Sequence, residues 1–200
     1  MNEKMNYKTD WPQYTDPQSG LELDFQNIFD QQYLVSASGQ KYPVIWGIPR
    51  LLENANNYAA AFGEQWKRWR STQLDSFTGT SISRDRIYRC LGSEGLEYLK
   101  NASNPLQILE VGCGAGRFTE ILLQFPSVRL TSLDLSVAVE ANALNFPQDF
   151  AHRVVQADIM SPPFTHQQFD MVVCLGVVQH TPNPEKTIKQ LYEQVKPGGF

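Results

Sequence analysis

Gln107-Ile108-Leu109-Glu110-Val111-Gly112-Cys113-Gly114-Ala115-Gly116-Arg117-Phe118-Thr119-Glu120 is the stretch whose reading decides the fold. Its near-continuous apolar opening suits a strand buried on both faces. Glycines at alternate positions, Gly112, Gly114 and Gly116, then break the strand. Such a turn needs dihedrals that glycine adopts freely and lets the main chain come close to a neighbour. Phe118, Ile121, Leu122 and Phe125 follow at the spacing of one helix face. Strand, glycine turn and helix together make the opening unit of a doubly wound α/β sheet.

Downstream, residues 128–134 read as a second strand that ends on Asp134, with Ser136 as the N-cap of the next helix. A carboxylate at that strand end suits a ribose, because it accepts charge-assisted hydrogen bonds from both hydroxyls. A third strand at 153–156 leads to Asp158, and Pro162 and Pro163 then end regular structure. Residues 169–176 are apolar throughout, as a central parallel strand should be. Residues 185–196 form an amphipathic helix with Ile188, Leu191, Tyr192 and Val195 on one face, stopped by Pro197-Gly198-Gly199.

In the dinucleotide fingerprint the third glycine stands three positions after the second. Here Gly116 follows Gly114 by two, and Arg117 occupies the dinucleotide position. Glu-Val-Gly-Cys-Gly-Ala-Gly instead resembles motif I of the class I S-adenosylmethionine-dependent methyltransferases. The resemblance implies that the cofactor's amino-acid end lies against Gly112, Cys113, Gly114 and Gly116, with Glu110 receiving its cationic group. It places Asp134 on the ribose, Leu135 beside the adenosine, Asp158 on the adenine amino group and Ile159 on the ring face. Leu175, at the end of the fourth strand, joins the same cofactor set. Gly176-Val177-Val178-Gln179-His180-Thr181-Pro182-Asn183-Pro184-Glu185 is similar to a motif of one large methyltransferase group that carries two histidines. Gln179 replaces the first; His180 matches the second and is the base candidate, a structural hydrogen bond being its competing role. Leu-Tyr-Glu-Gln-Val-Lys-Pro-Gly-Gly is similar to the family turn that leads into a fifth strand. The family core has seven strands, so the sequence reads as C-terminally truncated, leaving the fourth strand as an apolar edge.

Upstream, residues 1–55 read as a small β-rich extension, with short strands at 33–35 and 42–45 around a Ser-Ala-Ser-Gly turn. The stretch from Ser38 to Leu52 is similar to the end of a zinc-ribbon-like accessory domain. It lacks that domain's cysteines, so the resemblance implies a metal-free structural module; a plain β-hairpin extension is the alternative. Residues 56–104 read as helices and a linker; Phe62-Gly63-Glu64-Gln65-Trp66 with Gln73-Leu74-Asp75-Ser76 resembles a lead-in of the same superfamily, which implies a helical lid over the cofactor. Phe62, Trp66 and Trp69 share one side of its first helix, the pattern of buried packing. Ser83 reads as the cap of a second helix bearing Ile87, Tyr88 and Leu91, and Asp75, Arg84 and Arg86 as solvated surface charge, with facing a substrate as the alternative. Residues 105–200 form the core.

The 200 residues are 42% hydrophobic and 19% charged with a net charge of -4, the composition of a globular protein with no basic face for nucleic acid. No apolar run reaches the roughly 18–20 residues that span a bilayer. The polar N-terminus lacks a signal-peptide core, which makes a cytoplasmic location the default. Cys90, Cys113 and Cys174 are too scattered for a zinc ribbon or disulfide framework, and Cys113 and Cys174 read as small, weakly polar filler rather than catalysts. The expectation is therefore an α/β protein with a Rossmann-like doubly wound parallel sheet, truncated at its C-terminus, behind a β-rich extension and helical lid. The resemblance implies methyl transfer from S-adenosylmethionine to an O, N or C nucleophile of a small-molecule acceptor. No metal, nucleic acid or membrane is expected, and the oligomeric state is open. A nicotinamide-dependent oxidoreductase and a non-catalytic module of cofactor-binding fold remain the alternatives.

Overall fold

The computed structural model describes residues 12–52 and 58–200. Its centre is a parallel set of strands, β5 (Leu106–Val111), β6 (Val128–Asp134), β7 (His152–Ala157) and β8 (Met171–Cys174) by their place in the chain. They lie in the order β7-β6-β5-β8, so the chain reverses its direction of growth at β5. Strand alternation divides the core. Leu106 and Ile108 of β5 pack toward Phe118, Ile121, Leu122 and Phe125, while Leu109 and Val111 pack toward Leu133, Val155 and Phe169 on the other face. The sequence reading placed the fourth strand at 169–176; β8 is shorter because Phe169 instead bridges Val195. On the outer side of β8, Val172 donates to the carbonyl of Phe200, and Phe200 donates back to that of Asp170.

Ahead of the core run β1 (Leu23–Ile28), β2 (Gln31–Ser36), β3 (Lys41–Ile45) and β4 (Ile48–Leu51), an antiparallel meander. Two of its turns have two residues each, Phe29-Asp30 and Trp46-Gly47, all at positive φ (48°, 62°, 55° and 75°), the hand that matches strand twist. β4 then pairs parallel to β7, Arg50 beside Gln156 and Leu51 beside Ala157. The meander therefore continues the core sheet, which reaches eight strands, and β4 covers what would be an open edge of β7. Tyr42 is fully buried at that junction, and its hydroxyl donates to Asp16 Oδ1 at 3.1 Å. The N-terminal stretch 1–11 lies outside the described residues, as does the side chain of Phe62.

The helices are α1 (Ala60–Arg68), α2 (Asp75–Thr78), α3 (Ile82–Asn101), α4 (Thr119–Leu122), α5 (Ala138–Asn145) and α6 (Pro184–Gln194), with a 3-10 turn at Val178–His180. α1 lies on the start of α5 so closely that a Cβ on Gly63 would come 2.8 Å from Val137 Cγ2 and 3.0 Å from the Val137 nitrogen. Among the described residues no helix is long and apolar enough to cross a membrane.

Several local expectations are corrected. The helix after the glycine turn is one turn long, although all four of its expected core residues are buried. The buried face of α6 is rotated by one residue. Thr187, Leu191 and Gln194 face inward, while Ile188 and Tyr192 are exposed, because Thr187 is drawn in by its hydrogen bond to Thr181 (2.9 Å). Ser136 stands one residue before the boundary position of α5, held by Val137, and its hydroxyl accepts from the Ala138 nitrogen at 3.2 Å as a capping side chain does. Ser83 lies inside α3, and the cap comes from Asp75, whose carboxylate accepts from the Ser83 and Arg84 nitrogens at 3.0 and 2.9 Å. Asp75 is thus no solvated surface charge.

That cap makes a test. Replacing Asp75 by Ala should lower stability by about 1 kcal/mol, read as a shift in the urea midpoint. Burial pushes the Asp75 carboxyl up, but the Arg84 and Ser83 N–H groups outweigh it and leave it below its ordinary 3.8. The contribution is therefore present above pH 3.8 and lost as the pH falls through the lower folded value. A variant as stable as the parent at pH 7 would show the cap to be idle.

Candidate functional site

At the C-terminal ends of the parallel strands a cavity of about 280 Å³ opens where the sheet reverses its order, the place at which doubly wound sheets bind ligands. Leu133, Leu135, Ala157 and Ile159 form an apolar floor. Val111 and Gly112 bring in the glycine turn, and Leu175, Gly176 and Val177 the end of β8. Tyr58, Ala59 and Trp66 reach in from α1 and the residues just before it, with Arg86 from α3 and Arg117, Phe118, His180 and Thr181 around the remaining rim.

The glycine turn is fixed by crowding on two sides. Gly112 has φ 74°, and a Cβ there would stand 2.1 Å from Val177 Cγ2. Gly116 has φ 102° and would meet Phe146 Cε2 at 2.4 Å. Gly114 is the open member, its nearest neighbour being Trp66 Nε1 at 3.5 Å from the built Cβ. Its N–H donates to Asp134 Oδ2 at 2.9 Å, while the Ser136 nitrogen and hydroxyl donate to Oδ1 at 2.8 and 2.7 Å. Burial raises the Asp134 pKa above the ordinary carboxylate value against these three bonds. A carboxylate has about four acceptor positions, so Asp134 keeps capacity for a hydroxyl in the cavity.

The structure brings together Gly112, Asp134, Leu135, Ile159, Leu175 and His180 of the residues singled out from sequence. Asp158 stands just behind the wall, where Oδ1 accepts from the Met160 nitrogen at 2.8 Å. Its charge, after burial, helps push the nearby Tyr58 hydroxyl up to about 12. Cys113 is buried inside the turn, and Gly114 and Gly116 support it without lining the cavity. His180 is exposed on the rim, its Nε2 3.3 Å from Gln179 Nε2. Among the described residues no group of three or more His, Cys, Asp or Glu side chains is gathered for a metal.

Glu110 does not line the cavity. It shares the face of Ile108 by strand parity, and Oε2 accepts from Thr119 Oγ1 at 2.6 Å and Ser132 Oγ at 2.9 Å. Oε1 is buried with no partner. The network runs on from Ser132 to His152 Nε2 (3.1 Å), while His152 Nδ1 meets the Phe146 carbonyl at 3.1 Å. A neutral His152 must donate from Nδ1 to that carbonyl, so Nε2 can only accept, and the single Ser132 proton is wanted by both neighbours. A proton on Glu110 resolves the conflict. Burial accordingly raises Glu110 to about 7 and lowers His152 to about 4.

Sequence reading missed Tyr58, Trp66, Gln73, Arg86 and Phe118 as cavity residues. From sequence Trp66 reads as packing ahead of a substrate box and Arg86 as surface charge ahead of a substrate contact. Their contributions depend on where α1 and α3 lie over the sheet, which helical spacing does not encode.

Residues 109–200 match the family model described as "Methyltransferase domain". A ubiquinone biosynthesis O-methyltransferase of Pseudomonas entomophila is 32% identical over 97 residues, 46% of this chain and 41% of that protein. A malonyl-[acyl-carrier protein] O-methyltransferase of a Paenibacillus species is 38% identical over 104 residues, 49% of this chain and 37% of its own length. The chain thus spans about two fifths of the curated relatives it matches. Among solved structures, a Methanococcus maripaludis protein described as an S-adenosyl-L-methionine-dependent methyltransferase superposes with TM-score 0.53 at 17% identity, over 74% of this chain and 64% of that one. A SAM-dependent methyltransferase from Aquifex aeolicus gives 0.51 at 14% identity, over 68% of each chain. These likenesses establish the fold.

The buried network predicts opposed pH dependences. Glu110 rises from 4.5 to about 7 on folding, so its contribution to stability is full below pH 4.5 and falls as the pH climbs to 7. His152 drops from 6.5 to about 4, so its contribution grows as the pH climbs from 4 to 6.5. The two slopes nearly cancel between pH 4.5 and 6.5. Glu110→Gln should uncover a rise and His152→Asn a fall, each of about 1.4 kcal/mol per pH unit at most. Denaturant melts at three pH values read this; level profiles in both variants would refute the coupling.

Proposed function

We propose that this chain binds S-adenosylmethionine in the cavity and belongs to an enzyme that transfers its methyl group to an O, N or C nucleophile of a small-molecule acceptor. The observation that carries the reading is Asp134: a strand-end carboxylate tied to the glycine turn, with spare acceptor capacity above an apolar floor. That donor and acceptor set fits an adenosine with a free ribose diol. No phosphate cradle is needed, and the Arg117 position agrees with this.

In this reading Asp134 accepts the ribose hydroxyls, Leu135 and Ile159 enclose the adenine, and Asp158 accepts from its amino group. Gly112, Cys113, Gly114 and Gly116 shape the wall for the amino-acid end. Glu110 acts from behind the turn, holding Thr119 at the start of α4. The bound cofactor supplies a sulfonium-activated methyl group. The acceptor's nucleophilic atom forms the new bond to carbon as the sulfur–methyl bond breaks, the electron pair leaves with sulfur, and the acceptor loses a proton. The chain therefore has to orient the partners and, for a weak nucleophile, take that proton; His180 on the rim is assigned the second task. Residues 1–55, 56–104 and 105–200 act as extension, lid and core. The extension is a metal-free counterpart of the zinc-ribbon-like module. A cytoplasmic location and the absence of nucleic acid and membrane from the reaction belong to the same reading.

Calorimetry with S-adenosylmethionine on the parent and on Asp134→Ala tests it. The expected result is micromolar binding that the substitution weakens more than tenfold, about 1.4 kcal/mol. A folded parent chain that ignores S-adenosylmethionine and takes up NAD would overturn the reading.

A further inference from the structure

The cavity carries two guanidinium groups, neither in an ion pair among the described residues; Asp75 acts on Arg117 only as a longer-range charge. Arg86 and Arg117 both line it, and their Cζ atoms lie 5.8 and 5.4 Å from the centre of the Phe118 ring. They come from different elements, α3 and the glycine turn. Among the described residues no carboxylate stands within ion-pair distance of either. The nearby Asp75 carboxylate is committed to capping α3. Asp134 alone supplies an acid to the cavity lining, where it binds Gly114 and Ser136 and makes no ion pair with either arginine. Arg117 is held by its Nε, which donates to Ser83 Oγ at 3.0 Å, leaving its terminal nitrogens without a hydrogen bond among the described residues. Arg86 Nη2 lies 3.7 Å from where a Gly176 Cβ would be, above the end of β8. Burial, followed by the Arg86 charge, lowers the pKa of Arg117, and the Asp75 charge offsets this in part.

Like charges placed together in a cavity are unfavourable until an anion joins them, and paired guanidinium groups suit the planar fork of a carboxylate. We propose that Arg86 and Arg117 form a clamp for the carboxylate of an acidic methyl acceptor. The assignment to the acceptor, rather than to any other ligand, rests on the methyltransferase reading. Arg86 shares the β8 wall with His180 and Thr181, whereas the apolar floor assigned to adenosine lies across the glycine turn at β6 and β7. An acid held at Arg86 therefore lies beside the proposed base. The Phe118 ring attracts both guanidinium groups and holds them near one another.

The cofactor's own carboxylate is the other source of the same chemistry, and the experiment separates the two. Benzoate and malonate, and their amides benzamide and malonamide, are titrated into the chain loaded with S-adenosylhomocysteine, with binding followed by NMR. The acids should bind at least tenfold more tightly than the amides. Arg86→Gln and Arg117→Gln should each remove that preference while leaving S-adenosylhomocysteine affinity within twofold. Arg84→Gln, whose side chain pairs with Asp85 at the surface, should change nothing. Equal binding of acids and amides would overturn the clamp. So would a tenfold loss of S-adenosylhomocysteine affinity in Arg86→Gln with methylthioadenosine, which lacks the amino-acid end, unaffected. Failure of the parent chain to bind S-adenosylhomocysteine would instead remove the methyltransferase reading. The same titration on the unloaded chain would then decide the anion site by itself.

Discussion

One carboxylate fastens the C-terminal edge of the sheet. Asp134 reaches sideways from β6 to the Gly114 nitrogen and forward to Ser136, so the glycine turn and the β6–α5 connection share a single acceptor. Two close approaches lock what that acceptor joins. Val177 fills the space over Gly112, and Phe146, just beyond α5, fills the space over Gly116. The turn is therefore held from the β8 side and the α5 side at once. Its one open glycine, Gly114, points its nitrogen at Asp134 and faces Trp66 of α1. Cavity shape follows from these contacts more than from any property of the glycine motif alone.

Beneath the turn the protein buries a polar cluster where apolar packing would be simpler. Glu110, Thr119, Ser132, Asn142 and His152 bind one another between the sheet and the helices α4 and α5. Polar groups of this kind cost stability when left unsatisfied, but when satisfied they fix one arrangement over near alternatives. Here they set the rotation of α4 and α5 relative to β5 and β6. The glycine turn is the loop that this arrangement supports.

What the sequence disclosed follows the range of the interactions involved. The strand at 128–134 was readable from its alternation and the one at 153–156 from its adjacent valines, both local patterns. Asp134 was readable because a strand end is a local landmark. Glu110 was seen as a site residue, but its direction was not, since parity sends it to the helix side and no motif records parity. The face of α6 was misread by one residue because a threonine hydrogen bond, rather than the aliphatic stripe, sets its rotation. Trp66, Arg86 and Phe118 gain their place only when α1 and α3 meet the sheet, a long-range fact that helical spacing does not carry. The pairing of β4 with β7 is of the same kind, since it joins segments about a hundred residues apart in the chain.

Gly63 gives α1 a fixed point at the start of α5. With no side chain between α1 and the Val137 backbone, that point cannot slide without losing contact, and Lys67 holds Glu140 of α5 one turn further on at 3.1 Å. Glu140 also takes Arg50 of β4 at 3.0 Å. The two ties, a turn apart, pin α1 to α5, and Trp66 lies between them against Gly114.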